Sequence, residues 1–256
     1  MQLQEQLEKQ LQEKDILLMT HIVLGYPSFE INRKVIEQMV AAGVDCIEMQ
    51  IPFSEPMADG PVIMKANLDS LAGGTTVAQC LEFGEEMART HSIPFLYMTY
   101  YNIIFKYGEE QFIAHCEDSG ITGLIVPDLP PEQSMSFFQL AVRHHVSPIL
   151  IYSPTSTDER MKELDSVGSG FIYCVARRGV TGKKSELDDT FASYLQRCRQ
   201  ATDKPLAVGF GIRSRHDIIA LKNKADMAVI GSETIRLVDS EGPEAVGPFI
   251  ADLMQS

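Results

Sequence analysis

The run from Ile47 to Pro61, IEMQIPFSEPMADGP, constrains this chain more than any other. Residues 45–51, DCIEMQI, form a short apolar stretch with Gly43 before it and Pro52 after it, which reads as a strand. Glu48 stands inside that stretch. A carboxylate within an otherwise buried strand loses solvation, which raises its pKa and suits it to proton transfer near neutral pH. The alternative is a Glu at the strand's solvated end, or one paired with Lys or Arg. The next ten residues, PFSEPMADGP, hold three prolines and a glycine, so they form a stiff loop and neither helix nor central strand. Asp59 lies at the far end of that loop, where Asp before Gly also builds a turn. Two carboxylates converging on one strand end favour a site.

The rest of the chain repeats the same unit. Strand-like runs fall at 17–24, 45–51, 94–99, 122–126, 147–151, 170–175, 205–209 and 226–230. Helical patterns fall near 30–42, 76–90, 109–118, 132–144, 157–166, 187–199, 214–222, 233–238 and 243–254. Eight strand–helix units in 256 residues is the arithmetic of one α/β domain, a (β/α)8 TIM barrel over residues 1–256. A doubly wound open sheet has the same periodicity. The loops favour the barrel, because the unusual residues follow strand C-terminal ends, where this fold builds its sites. Glu48 and the proline loop belong to the second strand, Asn102 follows the third and Asp128 the fourth, while ARRGVTGKKS, GFG and GSE follow the sixth, seventh and eighth. Leu3, Leu7 and Leu11 repeat at helical spacing, so the polar N-terminal segment is an extra amphipathic helix lying over the barrel's closed end.

Charge and composition exclude several classes. Formal net charge is −13, which disfavours nucleic acid and anionic membrane as partners, since both carry the same sign. No apolar run approaches the roughly 20 residues of a membrane span, and the opening segment does not read as a signal. The five cysteines are scattered without C-x-x-C spacing, which supports neither disulfides nor a metal site and fits a reducing, cytoplasmic setting. A small phosphorylated substrate remains compatible, because helix N-termini bind anions whatever the net charge. Gly209 and Gly211 in VGFGI and Gly231 with Ser232 in IGSE lie on the loops where barrels cradle phosphate, and Gly182 could add a backbone donor. Each also reads as a tight turn. Arg177, Arg178, Lys183 and Lys184 flank the same region, either as ligand contacts or as solvated loop charge.

Five segments, IEMQIPFSEPMADGPVI, VPDLPPEQS, YCVARRGVTG, GFGI and IGSETI, occur in an order and spacing that resemble the tryptophan synthase alpha subunit family over nearly the whole chain. The resemblance implies a lyase of tryptophan biosynthesis that cleaves indole-3-glycerol phosphate to indole and glyceraldehyde 3-phosphate by retro-aldol scission. It implies no cofactor in this chain and a beta subunit carrying pyridoxal phosphate that receives the indole, in an α2β2 heterotetramer. On the matching positions, Glu48 is the general acid/base and Asp59 the second catalytic carboxylate. Tyr173 and Thr181 lie near the substrate, Gly182, Phe210, Gly211, Gly231 and Ser232 form the phosphate cradle, and Tyr100 and Ile151 line the indole pocket. Opposite protonation states for the two carboxylates would follow from a buried Glu48 and a polar, looped Asp59. Glu55, Pro56, Asp128 and Pro130 take positions that communicate with the partner. Asp128 also reads as a cap for the helix that begins near PPEQS.

The chain departs from the family pattern at three places. Gln50 replaces a glycine, Glu55 replaces an aspartate, and His21 stands where an aromatic residue borders the indole pocket. Gln50 could narrow or rewire the site, and His21 either wets the pocket or hydrogen-bonds within the barrel. Three other readings use the same residues: a phosphate-binding barrel isomerase, a regulatory subunit that only activates its beta partner, and an autonomous lyase that frees indole. The ARRGVTGKKS segment reads as a lid over bound phosphate.

Overall fold

The computed structural model describes residues 2–175, 189–209 and 211–254. Eight parallel strands close on themselves in sequence order: β1 (Leu17–Val23), β2 (Cys46–Gln50), β3 (Phe95–Met98), β4 (Gly123–Ile125), β5 (Ser147–Tyr152), β6 (Ile172–Val175), β7 (Leu206–Gly209) and β8 (Met227–Ile230). Closure runs through the pairing of β1 with β8, where Leu17 lies against Met227. This is the expected (β/α)8 barrel, and it excludes the open sheet.

Helices cover the outside: α1 (Leu3–Leu11), α2 (Phe29–Ala41), α3 (Pro61–Ala72), α4 (Val77–Thr90), α5 (Tyr101–Tyr107), α6 (Glu109–Asp118), α7 (Met135–Arg143), α8 (Asp158–Val167), α9 (Asp189–Ala201), α10 (Arg215–Leu221), α11 (Ser232–Glu241) and α12 (Val246–Met254). Two of them, α3 and α5, were not expected. Pro61 closes the proline loop and at the same time occupies the first turn of α3, where a missing N–H costs nothing, so one residue serves as loop and as helix start. Asp128 starts α5 from a distance. Its Oδ1 accepts the Tyr101 N–H at 2.9 Å, so it caps the helix after β3 and not, as expected, the one that follows it in sequence.

Alternation along the strands separates two apolar layers. Outward residues such as Leu18, Ile22, Ile47, Met49, Phe95 and Tyr97 pack under the helices. Inward residues Leu17, Met19, Cys46, Leu96, Met98, Ile149, Phe171, Ala207, Met227 and Val229 fill the lumen, together with Leu3 and Leu7 of α1. The N-terminal helix is therefore a plug in the lumen's lower end. Gly123 and Gly170 make room for it, since a Cβ on either would lie 3.2 or 3.0 Å from Leu3 Cδ2. Asp45 ties the same end: its carboxylate accepts the Leu18 N–H at 2.9 Å and the Lys14 ammonium at 2.6 Å. No helix among the described residues is long and apolar enough to cross a membrane.

Filling the lower lumen is a stability function. Leu7 is fully buried, so Leu7→Ala should cost about 2–5 kcal/mol in urea unfolding. A loss well under 1 kcal/mol would mean that α1 is held loosely.

Candidate active site

The lumen's apolar filling stops where β1 and β2 reach their C-terminal ends. His21 on β1 stands beside Glu48 on β2, and Val23 beside Gln50, by the register of the two strands. His21 and Glu48 are 4% and 3% exposed, and His21 Nδ1 lies 3.1 Å from Glu48 Oε1. Burial works against the imidazolium, but the Glu48 carboxylate, its hydrogen bond and the charge of Asp59 outweigh it and leave the His21 pKa raised above its ordinary 6.5. Glu48 is thus neither solvated nor paired with Lys or Arg. Its strand-mate across the ladder is its partner.

Asp59 comes inward from the proline loop. Its Oδ2 accepts the Gln50 Nε2–H at 2.6 Å and the Tyr100 hydroxyl at 3.3 Å. The same hydroxyl accepts the Ala58 N–H at 3.0 Å, and the Tyr100 ring stacks on Phe53 with centroids 4.8 Å apart. These contacts fold the loop back over the strand end. Asp59 is looped and has polar partners as expected, but burial pushes its pKa up from the ordinary 3.8, while His21, Gln50 and Tyr100 pull it back down without cancelling the rise. Gln50, expected to narrow or rewire the site, rewires it.

Tyr173 completes the group from β6. Burial and the nearness of Glu48 and Asp59 push its phenol well above 10. Gly209 on β7 lets the ring lie close, since a Cβ there would sit 3.0 Å from the Tyr173 hydroxyl. Ile151 pairs with Tyr173 in the ladder and packs against the same lumen cluster as Tyr100. Among the described residues, three buried polar atoms in this group, His21 Nε2, Glu48 Oε2 and Gln50 Oε1, make no hydrogen bond of ordinary geometry, although the Gln50 side chain also favours the His21 cation. Buried polar atoms are rarely left unpaired, and such a cluster marks a place where a ligand supplies the missing bonds.

Next to β1, at the end of β8, Gly231 precedes α11, whose first residue is Ser232, and no side chain among the described residues caps the helix. Open N–H groups at a helix start suit an anion. Gly211 has φ +80°, a conformation that favours glycine. Gly182 and Phe210, the remaining sequence-based candidates for this cradle, lie outside the described residues, as do Thr181 and the whole ARRGVTGKKS stretch. Among the described residues, no group of three or more His, Cys, Asp or Glu side chains is arranged to hold a metal ion. The residue that sequence reasoning undervalued is His21. Its type was noted, but its contact with Glu48 depends on a strand register that no single segment encodes.

Comparison with known proteins adds an independent line. The family model described as tryptophan synthase alpha chain matches residues 7–247. A tryptophan synthase alpha chain of Desulfotalea psychrophila is 66% identical over 253 residues, covering 99% of this chain and 100% of the relative. One from Methanocaldococcus jannaschii is 34% identical, covering 93% and 85%. Among solved structures, tryptophan synthase from Mycobacterium tuberculosis in its aminoacrylate-bound form superposes with a TM-score of 0.89 at 25% identity, covering 99% of this chain and 98% of that one. A tryptophan synthase α2β2 complex from Pyrococcus furiosus gives 0.87 at 29%, covering 93% and 97%. With the whole barrel, the buried carboxylate on its second strand and these matches in agreement, the chain belongs to the tryptophan synthase alpha chain family, the lyase subunit that cleaves indole-3-glycerol phosphate.

Proposed function

We propose that Glu48 and Asp59 carry this cleavage as a carbon–carbon scission, with Glu48 moving protons and Asp59 holding charge. The observation that supports the reading is a buried and a partly buried carboxylate at one strand end, each with a polar neighbour, beside polar atoms without a hydrogen bond among the described residues. Scission needs a proton delivered to the ring carbon that leaves and a proton removed from the hydroxyl next to the breaking bond. The electrons of the breaking carbon–carbon bond return to the ring, and the hydroxyl carbon becomes the aldehyde. Glu48 makes both transfers, since one carboxyl can give and then take. Asp59 accepts the indole N–H and stabilises the positive ring formed on protonation. Tyr100 and Ile151 border the ring, Tyr173 packs over the reacting part, and the start of α11 with Gly211, Gly231 and Ser232 receives the phosphate. Thr181, Gly182 and Phe210 are assigned to the same end by position in sequence.

The partner reading is a beta subunit bound at the barrel mouth in an α2β2 assembly. Large apolar side chains stand exposed on consecutive units there: Met57 after β2, 84% exposed, Phe105 on α5 after β3, and Met135 on α7 after β4. Exposed apolar groups gathered this way favour a protein contact. Glu55 and Pro56 flank Met57. Asp128 and Pro130 lie between β4 and α7, and the Asp128 bond to Tyr101 links that loop to α5. A cytoplasmic setting accords with a biosynthetic enzyme of this kind.

The primary experiment is indole release from indole-3-glycerol phosphate by the purified chain, alone and with a matched beta subunit. Stimulation by the beta subunit is expected, and no indole under either condition would reject the assignment. Glu48→Gln and Asp59→Asn should each lower turnover on the order of 10²- to 10⁴-fold while indole propanol phosphate still binds. Near-normal turnover in either variant would remove that residue from the mechanism. Ionised Asp59 is the working form, so activity is lost as pH falls through its raised pKa, and the acid limb of kcat/KM should lie above 3.8. Gln50→Leu deletes a donor to that carboxylate, and the limb should then move to still higher pH. An unmoved limb would separate Gln50 from the ionisation of Asp59.

A further inference from the structure

We propose that His21 is a positioning residue for Glu48, its Nδ1 and the Glu48 Oε1 holding one proton between them, so that the acid of the site is a buried imidazole–carboxylate dyad. The inference rests on the assignment of Glu48 as the proton-transferring group.

Geometry carries it. The two side chains are register partners on β1 and β2, almost fully buried, and 3.1 Å apart. A lone carboxylate at this depth would pay a large desolvation cost, and an imidazole that shares a proton with it offsets part of that cost. Glu48 uses one oxygen on His21, which leaves Oε2 unpartnered and available to substrate. The titratable groups that face His21 are Glu48 on β2 and Asp59 from the loop after it, both carboxyls. From β8 and α11 it meets Gly231 and Thr234, which do not titrate; the Thr234 hydroxyl donates to the His21 carbonyl at 3.4 Å. Each charged neighbour among the described residues therefore favours retention of the proton.

Proton accounting closes over one turnover. With substrate bound, the Glu48 carboxyl turns to carry the shared proton from His21 to the ring carbon, and the carboxylate left behind takes one from the hydroxyl of the scissile unit and returns it to the dyad. It ends with the proton it began with, while the carbon–carbon bond has broken. His21 keeps that proton in store at pH values where an isolated carboxyl of ordinary pKa would have lost it. An aromatic hydrocarbon at this position could wall the pocket but could not store the proton.

Two measurements test the dyad. NMR of the His21 imidazole in the full chain, assigned by its loss in His21→Asn, should show titration above 6.5 that falls in Glu48→Gln. Identical titration in the two proteins would overturn the proposal without reference to activity. In kinetics, the alkaline limb of kcat/KM reports loss of the shared proton. His21→Phe should move that limb to lower pH and reduce kcat roughly ten- to a hundredfold, with KM changed less than about threefold. His21→Asn, which can donate to Glu48 but cannot titrate, should leave the limb displaced. A wild-type profile and kcat in His21→Phe would make His21 a pocket wall only. If the wild-type chain released no indole, the reaction would be misassigned, and the NMR comparison would still decide the dyad on its own.

Discussion

Closure of β1 against both β2 and β8 is the constraint on which the rest of the structure depends. Once the ring is closed, the alternation of side chains along each strand decides what enters the lumen, and the register decides at what height. Leu17 and Met19 point in below His21 on β1, and Cys46 points in below Glu48 on β2. Apolar side chains and the α1 plug fill the lower lumen, so polar groups can enter only at the C-terminal rim. Slipping β1 by one residue would bring Thr20 inward and turn His21 under the helices. The site is a product of register before it is a product of residue type.

This explains why the fold was readable in the sequence and part of the site was not. Each strand is a short apolar run with a turn signal on either side, so the eight units and their order follow from local pattern. The missed helices, α3 and α5, depend on context: Pro61 reads as a loop residue until it is seen as a first-turn residue, and α5 is capped by Asp128 from 27 positions away. Glu48 and Asp59 announced themselves as carboxylates in an apolar strand and a proline loop. The partners that define their chemistry, His21 and Gln50, were visible only as departures from a family pattern. A lone segment cannot tell which of its side chains will meet a residue on the neighbouring strand or nine positions away.

Those two departures make physical sense together. Each supplies one carboxylate with a neighbour: His21 lies against Glu48, and Gln50 donates to Asp59. A glycine at position 50 would leave Asp59 without that donor, and a purely apolar ring at position 21 would leave Glu48 without its counter-group. The charge of Asp59 also favours the His21 cation, and that cation favours ionised Asp59. Protonation of the histidine and ionisation of the aspartate therefore reinforce one another.

Such mutual support bears on how the site loses its charges. The positive partner His21 resists protonation of Asp59, and the negative Asp59 resists loss of the His21 proton. The contact between opposite charges opposes both losses, although burial outweighs it at Asp59 and leaves that value raised. The proposed mechanism asks Asp59 to stabilise a cationic ring and Glu48 to deliver a proton in the same site. Two carboxylates would otherwise compete for the same state in so small a space. A histidine on the neighbouring strand lets them differ.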